Sequence, residues 1–121
     1  MQQRPKLSGA PRLLRACCNS WNGLTGAFKA ERAFQQEVAL ALILVPLAVW
    51  LGETKIERAL MIAAVLLLLV TELLNSAIET VVDRIGLERH ELSGLAKDIG
   101  SGAVLLSFAT LCVVWGFILL G

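Results

Sequence analysis

Three stretches of this chain stay apolar for long enough to cross a bilayer, which takes about 20 helical residues. The first, FQQEVALALILVPLAVWLG, covers residues 34–52. Its Pro46 is tolerable in a membrane helix, where neighbouring groups re-satisfy the freed backbone. The second runs over residues 57–85, and the third, IGSGAVLLSFATLCVVWGFILL, carries no charge over residues 99–120. Ahead of them the pattern changes. Leu14, Cys17, Cys18, Trp21, Leu24 and Phe28 recur at three- and four-residue steps, while Arg12, Arg15, Asn19 and Asn22 take the other side. That spacing predicts an amphipathic helix over about residues 7–28, lying in the membrane interface or capping the bundle. Gly23 and Gly26 weaken it, so a break is expected there. The chain reads as an all-α membrane protein, a single domain with one surface helix and three spans.

Composition agrees. Hydrophobic residues make up 56% of the 121, above the range of ordinary soluble domains. The net charge of +1 provides no basic field for nucleic acid. Two of the three cysteines, Cys17 and Cys18, are adjacent, and Cys112 lies in an apolar run; neither a disulfide framework nor a zinc spacing results. The first 35 residues hold no continuous apolar run, so no cleaved leader is expected. Orientation follows from the cations. Arg4, Lys6, Arg12, Arg15, Lys29 and Arg32 precede the first span, and Arg84, Arg89 and Lys97 lie between the second and third. Lys55 and Arg58 alone occupy the other connection, and none follows the third span. The positive-inside rule places the N-terminus and the 83–98 loop in the cytoplasm and the C-terminus outside.

The candidate chemistry interrupts the second span. After ALMIAAVLLLLV comes TELLNSAIETVVD, in which Glu72, Asn75, Glu79 and Asp83 fall within roughly 80° of one another at about 100° per residue. Ser76 borders the stripe. The purely apolar run before it is only about 18 Å of helix, so the span must continue through Glu72. A carboxylate at that depth costs about 2.5–3.5 kcal/mol on insertion scales, which marks Glu72 as functional by default. Asn75 and Ser76 have a plainer use as interhelical hydrogen-bonding groups, and Asp83 as an ordinary helix-end acid. Glu31 and Glu37, in KAERAFQQE, lie on the same side of the membrane as Glu79. Carboxylates from two helices would make a hard-oxygen site for Mg²⁺ carrying nucleotide phosphates; the plainer alternative is interfacial charge. In ERHELSGLAKDIGSG, Lys97 can neutralise phosphate or snorkel, Ser93 is a candidate N-cap, and His90 reads as a loop polar group. Gly100, Ser101, Gly102 and Ala103 are small enough for another helix or a lipid headgroup to approach. No GxxxxGK[ST] occurs, so phosphoryl transfer here is not P-loop chemistry.

ELLNSAIETVVDRIG followed by HELSGLAKDIGS resembles the signature of the small integral-membrane diacylglycerol kinases of bacteria, with SWNGL and AERAFQQE in matching places. The resemblance covers nearly the whole chain. It implies a homotrimeric bundle in the bacterial inner membrane, with active sites shared between subunits at the cytoplasmic interface. It also implies transfer of the γ-phosphoryl of MgATP to the hydroxyl of diacylglycerol, giving phosphatidic acid. By position, Glu72 matches the general base and Asn75 its neighbour in the motif. Glu31 and Glu79 match the carboxylates that hold divalent metal on the ATP phosphates. Lys97, Asp98, Glu88, Arg89 and His90 match nucleotide contacts, and Arg12 a residue near both nucleotide and lipid. Ser20 and Ser101 match lipid-side positions, and Asp83 belongs to the motif without an assigned step. Three positions depart from the family pattern. Asn19 stands where an aromatic residue lies near the adenine, Asn22 at an often basic position, and Leu95 in place of a charge. These imply altered binding constants with the chemistry retained.

Three other readings compete. Within the family some members phosphorylate undecaprenol, and nothing in the lipid-facing runs separates the two lipids. From another class, a small proton-coupled transporter would use Glu72 as its proton site. That leaves the gathering of Glu31, Glu79, Lys97 and Asp98 on one face unexplained. A purely structural scaffold would tolerate Glu72→Gln with no effect beyond stability.

Overall fold

The computed structural model describes residues 8–121, so Arg4, Lys6 and the first residue of the expected surface helix lie outside the described residues. Four helices follow: α1 (Ala10–Ala30), α2 (Arg32–Leu51), α3 (Lys55–Ile85) and α4 (Glu91–Leu120). Three of them, α2, α3 and α4, are long and apolar enough to cross a membrane.

Each boundary has a local cause. α1 begins after Gly9, whose φ of 71° suits glycine, with proline in its first turn. It runs unbroken through Gly23 and Gly26, contrary to the expected break. Each glycine costs about 1 kcal/mol against alanine, too little to interrupt a helix whose backbone groups have no better partners. Glu31 alone separates α1 from α2, in extended backbone (φ −114°, ψ 113°). Pro46 sits inside α2 without ending it. At the other end Thr54 caps α3, its hydroxyl accepting from the Glu57 N–H at 3.1 Å, while Glu57 accepts from the Glu53 N–H at 3.1 Å. Arg58 Nε donates to Gly52 O at 2.9 Å and ties this hairpin shut.

α4 starts eight residues before the uncharged run, and Ser93 is not its cap. His90 is: its Nδ1 accepts from the Leu92 N–H at 3.0 Å, and Glu91 in the first turn suits the helix dipole.

α3 is the central element. It packs most extensively on α4, then on α2, and α1 touches α2 and α3 lightly. Ala41, Ala64, Val65 and Leu111 meet where α2, α3 and α4 converge, with Leu44, Leu69 and Trp115 packed around them. Trp115 Nε1 donates to Met61 O at 3.1 Å, joining α4 to α3. Outside that seam large apolar side chains stay open on every span. Leu42, Trp50, Leu105 and Phe117 are each more than 70% exposed. Surfaces of that kind fit hydrocarbon rather than water.

Candidate active site

The three spans, packed side by side and joined by short connections, run antiparallel to their neighbours, which sets their polar residues at matching heights. At about 1.5 Å per residue, Glu37 lies about 22 Å along α2 from Gly52, and Glu72 about 25 Å along α3 from Lys55. Asn75 lies about 30 Å along α3, and Gly100 about 30 Å along α4 from Leu120. A bilayer core is about 30 Å thick, so the layer from Glu37 to Asn75 occupies its last turns at one end. Glu31 and Glu79 stand just beyond it.

Within this layer Glu72, Asn75 and Ser76 are buried, at 6%, 8% and 7% exposure, in a molecule whose other buried groups are mostly apolar. Four carboxylates converge electrostatically. Glu72 lies within reach of the charges of Glu79 and Glu31, and Glu37 within reach of that of Glu72. Asn75 Nδ2 donates to Glu79 Oε1 at 3.3 Å, one helical turn away. Among the described residues, two buried oxygens have no hydrogen-bond partner: Glu37 Oε2 and Asn75 Oδ1. Native interiors rarely leave such atoms unpaired, so each calls for a reason. Glu31, as the sole residue between α1 and α2, projects its carboxylate from a fixed joint and makes no side-chain cap bond.

Beside the layer a groove of about 770 Å³ separates α1 from α3, with Ser20, Gly23, Ala27 and Glu31 on one wall and Ser76 and Thr80 on the other. Its lining is mostly small and apolar. At the α3–α4 turn, Lys97 Nζ pairs with Asp83 Oδ1 at 2.8 Å, and Glu88, Arg89 and His90 line the same recess of about 210 Å³. Arg89 and His90 border a second, shallower recess with Asp98.

The sequence-predicted residues therefore fall into three groups. Glu31, Glu72, Asn75 and Glu79 come together. Asp83, Glu88, Arg89, His90, Lys97 and Asp98 gather around the α3–α4 turn, a short way along the same end. Arg12, Asn19 and Ser101 are exposed, Ser101 next to the buried Gly100 of α4, while Ser20 reaches the groove. Glu37 was legible as an interfacial acid; its height beside Glu72 is what the sequence withheld. As for a metal, these carboxylates feel one another's charge without closing on one point: among the described residues no three His, Cys, Asp or Glu side chains lie close enough to share an ion. Glu31 and Glu79 nonetheless offer the hard oxygens that suit Mg²⁺, which is commonly held by one or two carboxylates plus substrate phosphates. The donor set fits an ion that arrives with its nucleotide.

Comparison with known proteins decides what this arrangement belongs to. Residues 18–119 match the family described as prokaryotic diacylglycerol kinase. The chain belongs to the prokaryotic diacylglycerol kinase family. A diacylglycerol kinase of Haemophilus influenzae is 56% identical over 114 residues, covering 94% of this chain and 97% of that one. Diacylglycerol kinases of Pseudomonas aeruginosa and Escherichia coli K12 are 50% and 47% identical, each covering over 90% of both chains. As a prokaryotic diacylglycerol kinase by family, the protein is an enzyme of lipid metabolism, a lipid kinase. Its three apolar helices fit the membrane setting of such an enzyme.

Proposed function

We propose that this protein transfers the γ-phosphoryl of MgATP to the free hydroxyl of diacylglycerol, giving phosphatidic acid and ADP at the cytoplasmic face of the inner membrane. The observation that carries the reading is the layer of carboxylates around buried Glu72, set where the hydrocarbon ends. A lipid hydroxyl reaches that height from the membrane side, and a nucleotide phosphate from the water side.

In the proposed reaction Glu72 takes the proton of the lipid hydroxyl as its oxygen forms the new bond to the γ-phosphorus. The bond from that phosphorus to the β,γ-bridging oxygen breaks, and ADP carries away the electron pair. Asn75 holds Glu79 through its amide N–H and keeps that carboxylate turned in one direction. The unpartnered Glu37 Oε2 is a second acceptor near Glu72, available to a hydroxyl entering the layer. Glu31 and Glu79 would hold the divalent ion, which when bound neutralises charge on the transferring phosphates. Lys97, with Asp83 orienting its ammonium, faces the nucleotide phosphates; Glu88, Arg89, His90, Asp98, Arg12 and Asn19 make its remaining contacts. Ser20, at the groove between α1 and α3, and Ser101 face the lipid. Phosphoryl transfer asks mostly for positioning and charge neutralisation, which these groups can supply without a soluble kinase fold.

The exposed apolar flanks of the spans, and the exposure of Arg12, Asn19 and Ser101, support assembly as a homotrimer. In it, one subunit's α1 and α4 would complete a neighbour's site.

The test is transfer of label from γ-labelled ATP to lipid in mixed micelles with Mg²⁺, offering diacylglycerol and undecaprenol in parallel. Label is expected on diacylglycerol and is expected to vanish with Glu72→Gln while the variant keeps its thermal midpoint. Label mainly on undecaprenol would overturn the substrate, and unchanged transfer by Glu72→Gln would overturn the base.

A further inference from the structure

Asn75 is held from both ends of its amide. It is 92% buried, its Nδ2 donates to Glu79, and its Oδ1 faces no hydrogen-bond donor. What the oxygen does face is Gly100 of α4, itself buried. A Cβ built at Gly100 would fall inside the contact distance of Asn75 Oδ1, and would lie 3.2 Å from its Cγ. No other side chain atom comes as near. The amide is planar, so its oxygen and nitrogen turn together about one bond, and a single orientation serves both Nδ2 on Glu79 and Oδ1 on α4. Turning the oxygen away from α4 turns the nitrogen away from Glu79.

We infer that Gly100 is a positioning residue of this lipid kinase: its missing side chain leaves the space in which the Asn75 amide oxygen sits, and so fixes the amide N–H on Glu79. The inference rests on the reaction proposed above only for the consequence, not for the geometry. Gly102 provides an internal comparison. It is on the same helix, two residues on, and a Cβ there meets nothing within 4 Å. Whatever a methyl does to helix propensity or to the turn of α4, it does at both positions; only at Gly100 does it strike Asn75. The small-residue run from Gly100 to Ala103 is therefore not uniform, since one of its members admits a polar side chain of α3 rather than a helix or a headgroup.

The experiment compares Gly100→Ala and Gly102→Ala in the purified full-length protein, in lipid–detergent micelles with diacylglycerol and MgATP. Misplacement of a catalytic group by ~1 Å costs up to about a hundredfold, so Gly100→Ala is expected to lower kcat by about tenfold or more. Its KM for diacylglycerol is expected to stay within about twofold, since the lipid contacts are untouched. Gly102→Ala is expected to behave as the parent protein. The side-chain amide proton resonances of Asn75, identified by their loss in Asn75→Asp, are expected to move in Gly100→Ala and not in Gly102→Ala. A parent-like kcat in Gly100→Ala would overturn the inference, as would a lowered kcat with the Asn75 resonances unmoved. If Gly100→Ala does not fold, adding Asn75→Ala is expected to restore the thermal midpoint of Asn75→Ala alone; a double variant that stays unfolded overturns it. Should the parent protein transfer no label at all, the reaction reading fails, and the Asn75 resonances still decide the geometry.

Discussion

Single residues in this protein do their work by height. Glu72 was conspicuous in the sequence because an acid that interrupts an apolar run is expensive there. Burial to 6% exposure shows that the position is also dry on the protein side. Asn75 and Glu79 were legible as one stripe, and their hydrogen bond follows from a spacing of four residues. The meeting of Glu37 and Glu31 with that stripe was not legible, since it depends on where α2 lies against α3 and on the single extended residue before α2. His90 read as a loop group and proves to be a cap, which its own sequence neighbourhood could not distinguish from Ser93. Lys97 carries a prediction at this scale. Its pairing with Asp83 is at the surface, with 43% and 49% of the side chains exposed, and such pairs add little stability. Lys97→Met is therefore expected to leave the thermal midpoint nearly unchanged and to raise KM for ATP by about tenfold, the scale of one lost charge-assisted contact. A comparable fall in stability would show the pair to be structural instead.

Among the elements, the three spans were plain from hydrophobic length, because a membrane helix announces itself by what it lacks. Their helical ends were less plain. α3 and α4, at 31 and 30 residues, are longer than the roughly 20 residues a bilayer core requires. Hydrophobicity marks where lipid stops; the backbone continues as helix for as long as capping and charge allow. The contacts between spans are few and specific, as expected where lipid competes with side chains for apolar surface. Trp115→Phe tests one of them. It keeps the ring against the α2–α3–α4 seam and removes the bond to Met61 O, and it is expected to cost about 0.5–1 kcal/mol. Reversible unfolding in detergent would measure that loss, and no loss would mean that the indole N–H finds an equal partner elsewhere.

At the scale of the whole molecule, most of the charged groups are sorted to one end, with Glu53, Lys55, Glu57 and Arg58 at the other, and the apolar flanks are left for lipid or for further copies of the chain. The sequence disclosed the sorting through its Lys and Arg, but not whether a flank meets lipid or another copy of the chain, because a self-complementary apolar flank has the same composition as a lipid-facing one. Topology can be checked directly at the turn between α3 and α4, where Arg89 is exposed and outside helix. Trypsin is expected to cut there in inverted membrane vesicles and not in right-side-out ones; the reverse pattern would turn the protein over and separate its acids from cytoplasmic nucleotide.

The junction at Glu31 has a mechanical meaning. Two rigid rods, of 21 and 20 residues, share a single articulation, and Gln35 Nε2 braces it by donating to Phe28 O at 2.6 Å. A lever of about 31 Å thus ends on an acidic group with no slack between them. Any tilt of α1, from lipid packing or from a ligand in the groove, would therefore be transmitted undamped to the Glu31 carboxylate.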